Sequence, residues 1–156
     1  MVSDTIKKIQ SWTDIPIALD SEGAQIRNQN MESESVYFKE GDIVKIHQTA
    51  IIGNSNNISF TPNYILDELR KGDKIRVDFN TVCLEVSEVK KDHILAIVNN
   101  EGYVGSNKAA NVNRHINLNA VTPKDEAAFK IGIELGINDF SLSFTNSAKD
   151  VDDIRK

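Results

Sequence analysis

The sequence has one cysteine, few prolines and no long apolar run, and each shortage excludes a class of protein. A single cysteine, Cys83, cannot form an internal disulfide, so a disulfide-stabilised secreted domain is excluded and a reducing cytoplasm is the expected location. No apolar run approaches the length of a membrane span, and we expect no membrane partner. Residues 1–10 are polar and helix-like, without the apolar core of a signal peptide.

Basic residues are also in short supply. The chain has 18 Lys and Arg against 23 Asp and Glu, a net charge of −5, which argues against a nucleic-acid-binding protein because such surfaces are basic. The three histidines, His47, His93 and His115, are scattered and lack the cysteine or acidic spacing of a zinc site. No Gly-rich phosphate-binding loop of a familiar kind is present. We therefore predict neither a zinc site nor a Gly-rich phosphate-binding loop.

What is present is the composition of a folded domain. Hydrophobic residues make up 40% and charged residues 26% of the chain, as in soluble globular proteins rather than disordered tails. A chain of 156 residues can bury a core as one ordinary domain or as two small pieces.

The segment 15–27, IPIALDSEGAQIR, places polar residues directly after a short apolar run. Its apolar residues, 17–19, suit a strand that is buried on both faces of a parallel sheet. Polar residues at the C-terminal end of such a strand, here Asp20 and Ser21, often belong to a site. The alternative is a solvated turn in which Gly23 adopts a positive φ, and both interpretations stay open at this point.

Three regions of the chain differ in their patterns. Residues 1–27 predict a helix followed by the strand just described. Residues 28–105 contain six short runs that lean towards strand-like alternation, separated by turn signals, and they predict a small closed β-barrel or a sandwich. Residues 64–69 predict a helical turn. The six runs are 35–38, 42–46, 57–60, 74–79, 81–86 and 93–98.

In residues 106–156 the apolar residues recur at the spacing of helices rather than of strands. Thr122, followed by proline and acidic residues, predicts a helix start, and Gly136 is well placed just after the end of that helix. Residues 137–144 resemble a strand, and Ser147 could cap a last helix, an order typical of an α/β layer. The chain ends roughly two turns into that helix, so we expect it to be one part of a longer protein.

Five segments, in the same order, resemble those of the pyruvate kinase family. Residues 19–27 (LDSEGAQIR) are similar to LDTKGPEIR, residues 71–78 (KGDKIRVD) to GDxIxVDDG, and residues 105–112 (GSNKAANV) to GSRKGVNLPG. Residues 116–125 (INLNAVTPKD) are similar to VDLPAxSEKD, and residues 143–151 (SFTNSAKDV) to SFxRxAxDV. Ordered matches over most of the chain are far more specific than any one of these motifs.

The resemblance implies a mainly β chain with α/β flanks, in which a small closed β-barrel is inserted into part of a (β/α)8 barrel. Residues 1–27 would supply an N-terminal helix and a barrel strand, residues 28–105 the inserted β-barrel lid, and residues 106–156 the return to the larger barrel. It also implies phosphoryl transfer between phosphoenolpyruvate and ADP, with Mg²⁺ and K⁺ as cofactors and ATP as product. A homo-oligomeric parent protein is compatible with this resemblance.

The resemblance also implies roles for particular residues. Asp20 would be a monovalent-cation ligand with the backbone carbonyl of Ser21 beside it, because both supply hard oxygen atoms. Arg27 would face a nucleotide phosphate, where its guanidinium makes paired charge-assisted hydrogen bonds. Lys108 and Asn111 would lie at the hinge and nucleotide side of the cleft. The β-barrel would exclude water when it closes.

Several polar positions depart from the family pattern. These are Glu22 in place of a Lys, Gln25 in place of a Glu, Phe79 in place of an Asp, and Asn146 in place of an Arg. Glu22 reverses a charge near the expected phosphate site, which is costly if its side chain faces that site. The apolar framework persists, so the pattern indicates a retained fold and a loosened function.

Two family segments do not occur in these 156 residues: the KIE string and the NFSHG string. The resemblance associates KIE and later segments with the catalytic Lys and the acidic Mg²⁺ ligands, so we predict that the isolated chain is inactive. Two hypotheses stay open for the parent protein. It is either an active pyruvate-kinase-like phosphotransferase or a non-catalytic relative whose β-barrel is a ligand- or protein-binding module.

Overall fold

The computed structural model describes residues 2–155, which form four helices and eleven strands. In chain order they are α1 (Val2–Gln10), β1 (Ala18–Asp20), β2 (Ile26–Asn28), β3 (Val36–Phe38), β4 (Ile43–His47), β5 (Asn57–Thr61), α2 (Ile65–Glu68), β6 (Lys74–Val77), β7 (Val82–Val89), β8 (His93–Asn100), β9 (Gly102–Val104), β10 (Ala109–Val112), α3 (Pro123–Glu134), β11 (Asp139–Ser141) and α4 (Ala148–Ile154). None of these helices is long and apolar enough to cross a membrane.

The chain divides into two compact units. Residues 1–24 and 118–156 form what we call the α/β unit, and residues 25–117 form the barrel unit. The sequence placed the corresponding boundaries at 27/28 and 105/106. The difference arises because β2 and β10 hydrogen-bond to each other and to further strands of the barrel unit. With three and four residues, these strands are too short for an alternating pattern to stand out in the sequence.

Seven strands of the barrel unit close into a barrel in the order β10-β2-β5-β4-β8-β7-β6. Neighbouring strands are antiparallel except β4 and β5, which are parallel. The fully buried side chains inside include Ile46, Phe60, Ile75 and Leu84. Because closure pairs each of these strands on both sides, the sheet has no open edge. The predicted small closed β-barrel is confirmed, and β3 and β9 form a separate antiparallel ladder.

A charged clamp within the barrel unit joins the segment after β10 to the turn before β6. Arg114 donates from Nε and from Nη2 to the carboxylate of Asp73, and both hydrogen bonds are 3.0 Å long. Its Nη2 also donates to the carbonyl of Glu68. The same carboxylate accepts the backbone N–H of Arg70 at 2.8 Å. Burial raises the pKa of Asp73, but the hydrogen bonds from Arg114 and Arg70 outweigh it and hold the pKa below its usual value.

The hairpin between β6 and β7 contains an unfavourable turn residue. The backbone N–H of Thr81 donates to the carbonyl of Asp78 at 3.1 Å, and the two residues between them, Phe79 and Asn80, have φ of 55° and 74°. Positive φ at both central positions defines a type I′ turn, which favours Asn and Gly because other L side chains are strained there. Phe79 is 94% exposed, so little burial offsets that strain.

In the α/β unit, β1 and β11 pair in parallel and α3 packs against them. Phe129 of α3 meets Phe140 of β11 edge-on, with ring centroids 5.0 Å apart. Gly132 lets α3 approach β1 so closely that a Cβ there would overlap the side chain of Leu19. The prediction of a strand buried on both faces is wrong, since the first and last residues of β1 are exposed. Within residues 2–155, β11 is its one strand neighbour.

Both predicted helix starts are confirmed, and each carries a capping box. Thr122 is the N-cap of α3, with Pro123 in the first turn, and Ser147 is the N-cap of α4, where Asp150 completes the box. Gly136 follows α3 with a φ of 79°, as predicted for the residue after a helix end. Each box satisfies backbone N–H groups that a helix start otherwise leaves without partners.

The carboxylate of Asp125 ties the start of α3 to the loop that follows β1. It accepts the backbone N–H of Glu22 at 2.7 Å and that of Gly23 at 3.3 Å. It also accepts the backbone N–H and the hydroxyl of Thr122, at 3.0 and 2.8 Å. Asp125 is only 4% exposed. Burial raises the pKa of this carboxyl, but the hydrogen bonds outweigh burial and lower the pKa below its usual value.

We expect Asp125→Asn to lower the free energy of unfolding at neutral pH by about 1–3 kcal/mol, because an amide offers one acceptor oxygen and leaves buried N–H groups unpaired. The pKa of Asp125 is lower in the folded chain than in the unfolded chain, where it is about 3.9. Its contribution to stability is therefore complete above that value and is lost as the pH falls through the folded pKa. Urea unfolding at neutral and acidic pH, followed by circular dichroism, measures both effects.

Asp139→Asn is the matched control, since it removes an exposed acid from β11 of the same unit. Acidification should cost the Asp125→Asn chain less stability than the unmodified chain, and the control should behave like the unmodified chain. The same loss on acidification in all three chains would show that Asp125 carries no special ionic contribution.

We expect Phe79→Asn to raise the free energy of unfolding by about 0.5–1 kcal/mol, because Asn tolerates the left-handed conformation of this turn better than Phe. Phe79→Leu is the control and should give no gain, since it keeps a large side chain at the same φ. Thermal unfolding of the three chains measures the difference. A destabilised Phe79→Asn chain would mean that Phe79 makes a contact that outweighs its turn strain.

Candidate functional site

The predicted site residues lie in both units of the chain. Asp20 and Ser21 stand at the end of β1 in the α/β unit, whereas Arg27, Lys108 and Asn111 belong to the barrel unit. They form two local groups, which we call the oxygen group and the cationic group.

The oxygen group lies at the carboxyl ends of β1 and β11. The hydroxyl of Ser143 lies 3.0 and 3.1 Å from the two carboxylate oxygens of Asp20, to which it donates. The backbone N–H of Ser143 donates to the hydroxyl of Ser21 at 3.0 Å. Ser143 was not among the predicted site residues. Its position at the end of the second predicted strand of the α/β layer was the signal that could have identified it.

The loop after β1 is held closely against this strand end. Ser21 is buried, and its N–H donates to the carbonyl of Ser141 at 3.0 Å. Gly23 has a φ of 71°, and a Cβ there would overlap the carbonyl oxygen of Ser143, so glycine is required at this position. Asp125 binds the next two N–H groups of the same loop. The loop is therefore an ordered, largely buried segment rather than a solvated turn.

The oxygen group offers ligands suited to a hard, singly charged cation. Its possible metal ligands are the carboxylate of Asp20, the hydroxyl of Ser143 and the carbonyl of Ser21. None of the described residues donates a hydrogen bond to the carbonyl of Ser21. Carboxylate, hydroxyl and carbonyl oxygens are hard ligands, and the group carries one negative charge. Between residues 2 and 155, no cluster of three or more His, Cys, Asp or Glu side chains could hold a metal ion. The residues present thus fit K⁺.

The cationic group occupies the outer face of the barrel at β2, β10 and β6. Arg27 pairs with Ala109 across β2 and β10, and Asn111 lies two residues farther along β10, opposite Arg76 of β6. Since alternate residues of a strand share a face, Arg27, Asn111 and Arg76 all point outward. Arg76 was not predicted as a site residue. The alternation of its strand, KIRV, already indicated that its side chain points away from the core.

Lys108 and Arg27 are both positioned by backbone contacts. The backbone N–H of Lys108 donates to Oδ1 of Asn28 at 2.6 Å, and its ammonium lies 3.6 Å from the carboxylate of Asp78. Nη1 of Arg27 donates to the carbonyl of Asn107 at 2.9 Å, while its buried Nε has no hydrogen-bond partner in the described part of the chain. A guanidinium with an N–H that no described residue accepts is suited to an anionic ligand.

The reversed charge at Glu22 is neutralised within the α/β unit. Nζ of Lys124 lies 2.7 Å from Oε1 of Glu22. Both side chains are partly exposed, so the pair contributes at most about 1 kcal/mol to stability. Its main effect is electrostatic, because Glu22 no longer presents an unpaired negative charge to its surroundings. The electrostatic cost of having Glu22 near the expected phosphate site is therefore reduced.

Comparison with known proteins shows the family to which the chain is related. The family model described as "Pyruvate kinase, barrel domain" matches residues 1–156. Proteins named pyruvate kinase from Geobacillus stearothermophilus and Bacillus licheniformis are 35% and 33% identical to this chain over 145 and 146 residues, covering 91% and 92% of it and 25% of each relative. A third, from Lactobacillus delbrueckii subsp. bulgaricus, is 32% identical over 143 residues, or 89% of this chain and 24% of the relative.

The chain spans about a quarter of the length of these curated relatives. Its match to the family model nevertheless runs from the first residue to the last, and the five sequence segments, the closed β-barrel and the parallel β1–β11 pair agree with that match. The chain belongs to the pyruvate kinase family and is a part of its barrel domain.

Proposed function

We propose that this chain is the segment of a pyruvate-kinase-type phosphotransferase that binds the monovalent cation and part of the nucleotide. In the whole protein, the reaction is phosphoryl transfer from phosphoenolpyruvate to ADP, which gives pyruvate and ATP. The observation that carries the proposal is the oxygen group, in which Asp20, Ser21 and Ser143 present hard ligands at the carboxyl ends of two parallel strands. Such strand ends are where α/β proteins bind their ligands.

The contribution of these residues follows from charge. The transferred phosphoryl group carries negative charge on its oxygens, and catalysis consists largely of placing cations around them. K⁺ at the oxygen group and Mg²⁺, the divalent cofactor of the proposed reaction, would supply positive charge when bound. Arg27 and Lys108 bind nucleotide phosphate oxygens through charge-assisted hydrogen bonds. Asn111 and Arg76, on the same outer face as Arg27, extend this surface.

The isolated chain is inactive in this proposal, because the KIE and NFSHG segments are not among its residues. The barrel unit acts as the lid that excludes water during the reaction. A cytoplasmic location is consistent with the single free cysteine, Cys83, which is buried in β7.

A second candidate function is that of a ligand- or protein-binding module in a non-catalytic relative. The observation that favours it is Phe79, which is 94% exposed in a turn that strains its backbone. Exposed aromatic side chains are enriched at protein interfaces. Enzymatic turnover by the full-length parent protein separates the two candidates.

We expect Mg-ADP, titrated into this chain, to shift the NMR signals of Arg27 and Lys108. Lys108→Met should weaken binding about tenfold, the value of one charge-assisted hydrogen bond. Lys74→Met is a matched control, since Lys74 forms an ion pair of the same 3.6 Å length, with Glu85, and its side chain is 46% exposed compared with 43% for Lys108. Equal weakening by both variants would show that the effect arises from the overall charge of the chain. Lys108 would then not be part of the nucleotide site.

In the full-length parent protein, we expect Asp20→Asn to raise the K⁺ concentration needed for half-maximal turnover about tenfold, because it removes the one formal charge among the oxygen ligands. Coupled conversion of phosphoenolpyruvate to pyruvate, with Mg²⁺ and varied K⁺, measures this. Asp139→Asn is the control and should leave the K⁺ response unchanged. A folded parent with no turnover above background would rule out the phosphotransferase and favour the binding module. An unchanged K⁺ response in Asp20→Asn would place the cation elsewhere.

A further inference from the structure

Two of the three histidines, which are far apart in the sequence, lie side by side on the outer face of the barrel. His47 ends β4 and His93 begins β8, and the antiparallel register places them directly opposite each other. Their neighbours Ile46 and Ile94 are buried inside the barrel, so both imidazoles point outward. Directly opposite residues have Cβ atoms about 4.5–5.5 Å apart, a spacing at which two imidazoles can bind one ion.

The hydrogen-bond network determines which nitrogen of His47 carries a proton. The backbone N–H of Asn56 donates to Oδ1 of Asn54 at 3.0 Å, which identifies that oxygen as an acceptor. Nδ2 of Asn57 donates to the same oxygen at 3.1 Å, so Oδ1 of Asn57 is the atom that lies 2.8 Å from Nε2 of His47. An amide oxygen only accepts. His47 therefore donates from Nε2 and keeps its lone pair on Nδ1.

The hydrogen bond between His93 and Asp92 shows in the same way which ring nitrogen of His93 carries the proton. Nδ1 of His93 lies 2.7 Å from Oδ1 of Asp92. The carboxylate oxygen of Asp92 is the acceptor of this hydrogen bond. His93 therefore donates from Nδ1 and keeps its lone pair on Nε2. Each ring is thus oriented by an oxygen acceptor, the arrangement that metal-binding histidines use, and no hydrogen bond among the described residues occupies either lone pair.

A cavity beside His93 leaves room for water molecules on that side of the histidine pair. His93 lines a cavity of about 240 Å³ together with Gln48 and Asp67, and the Nε2 of Gln48 donates to Oδ1 of Asp67 at 3.3 Å. Lys90 and Lys91 also line this cavity. The ammonium of Lys90 is paired with the carboxylate of Glu88 at 3.4 Å.

We propose that His47 and His93 form a two-histidine site for a late first-row divalent cation such as Zn²⁺, Ni²⁺ or Cu²⁺, which joins β4 to β8. Imidazole nitrogen selects these ions over Mg²⁺ and K⁺, which prefer oxygen. Within residues 2–155 no cluster of three or more His, Cys, Asp or Glu side chains could hold a metal, so water completes the coordination. The site is independent of the proposed phosphotransferase function. The sequence did not predict it, because the spacing of the two histidines matches no zinc motif.

The test uses the whole 156-residue chain, freed of metal and titrated with ZnCl₂ and, separately, NiCl₂. Since the ion binds the folded barrel, the melting temperature should rise with metal concentration. His47→Gln and His93→Gln should each weaken binding about tenfold or more. His115→Gln removes the third histidine of the chain, which is exposed, and should leave binding unchanged. No rise in melting temperature at about 1 mM metal, or loss of the rise only in His115→Gln, would overturn the proposal.

A second pair of variants keeps both imidazoles and protects the test against misfolding. Asn57→Ala and Asp92→Ala remove the acceptors that orient the rings, and each should weaken binding about tenfold. Imidazole proton signals, broadened by substoichiometric Cu²⁺, report binding without unfolding the chain. Selective broadening of the His47 and His93 signals supports the site. Equal broadening of all three histidines would show adventitious surface binding and reject it.

Discussion

The carboxylate of Asp125 is the contact on which the α/β unit depends most. One buried side chain completes the cap of α3 and binds two consecutive backbone N–H groups of the loop after β1. The helix start and the strand end are therefore coupled, since neither can move without leaving a buried hydrogen-bonding group unpaired. The position of the oxygen group follows, because Asp20 and Ser21 directly precede the residues that Asp125 holds. A cap that normally stabilises one helix here also positions the proposed cation ligands.

One departure from the family pattern, Glu22, is compensated by a nearby residue of opposite charge. Glu22 would place an unpaired acid near phosphate, but Lys124 pairs with it inside the α/β unit. Phe79 is different, because its turn strain is not offset by burial. Strained backbone conformations cluster at functional sites, so Phe79 is the observation in favour of the second candidate function, a binding module.

Signals that depend on a few neighbouring residues were predictable. Thr122 and Ser147 were identified as helix caps, and each of the six predicted strand runs overlaps a strand. The strands β2, β9 and β10 were not identified, because three or four residues carry too little pattern and become strands only by pairing with distant partners. The burial of β1 was also misjudged, since it depends on which elements cover the strand rather than on its own residues. Asp20, Ser21, Arg27, Lys108 and Asn111 remain predictions as site residues.

The sequence by itself determined the helix starts, the alternating strands and the family to which the chain belongs, because each of these is encoded in contiguous residues. Only the tertiary structure decided that Ser143 faces Asp20, that Arg76 shares a face with Arg27, and that His47 lies opposite His93. These neighbours are fixed by strand register and by barrel closure. Both arise from the packing of segments far apart in the chain, so no local pattern of residue types contains them.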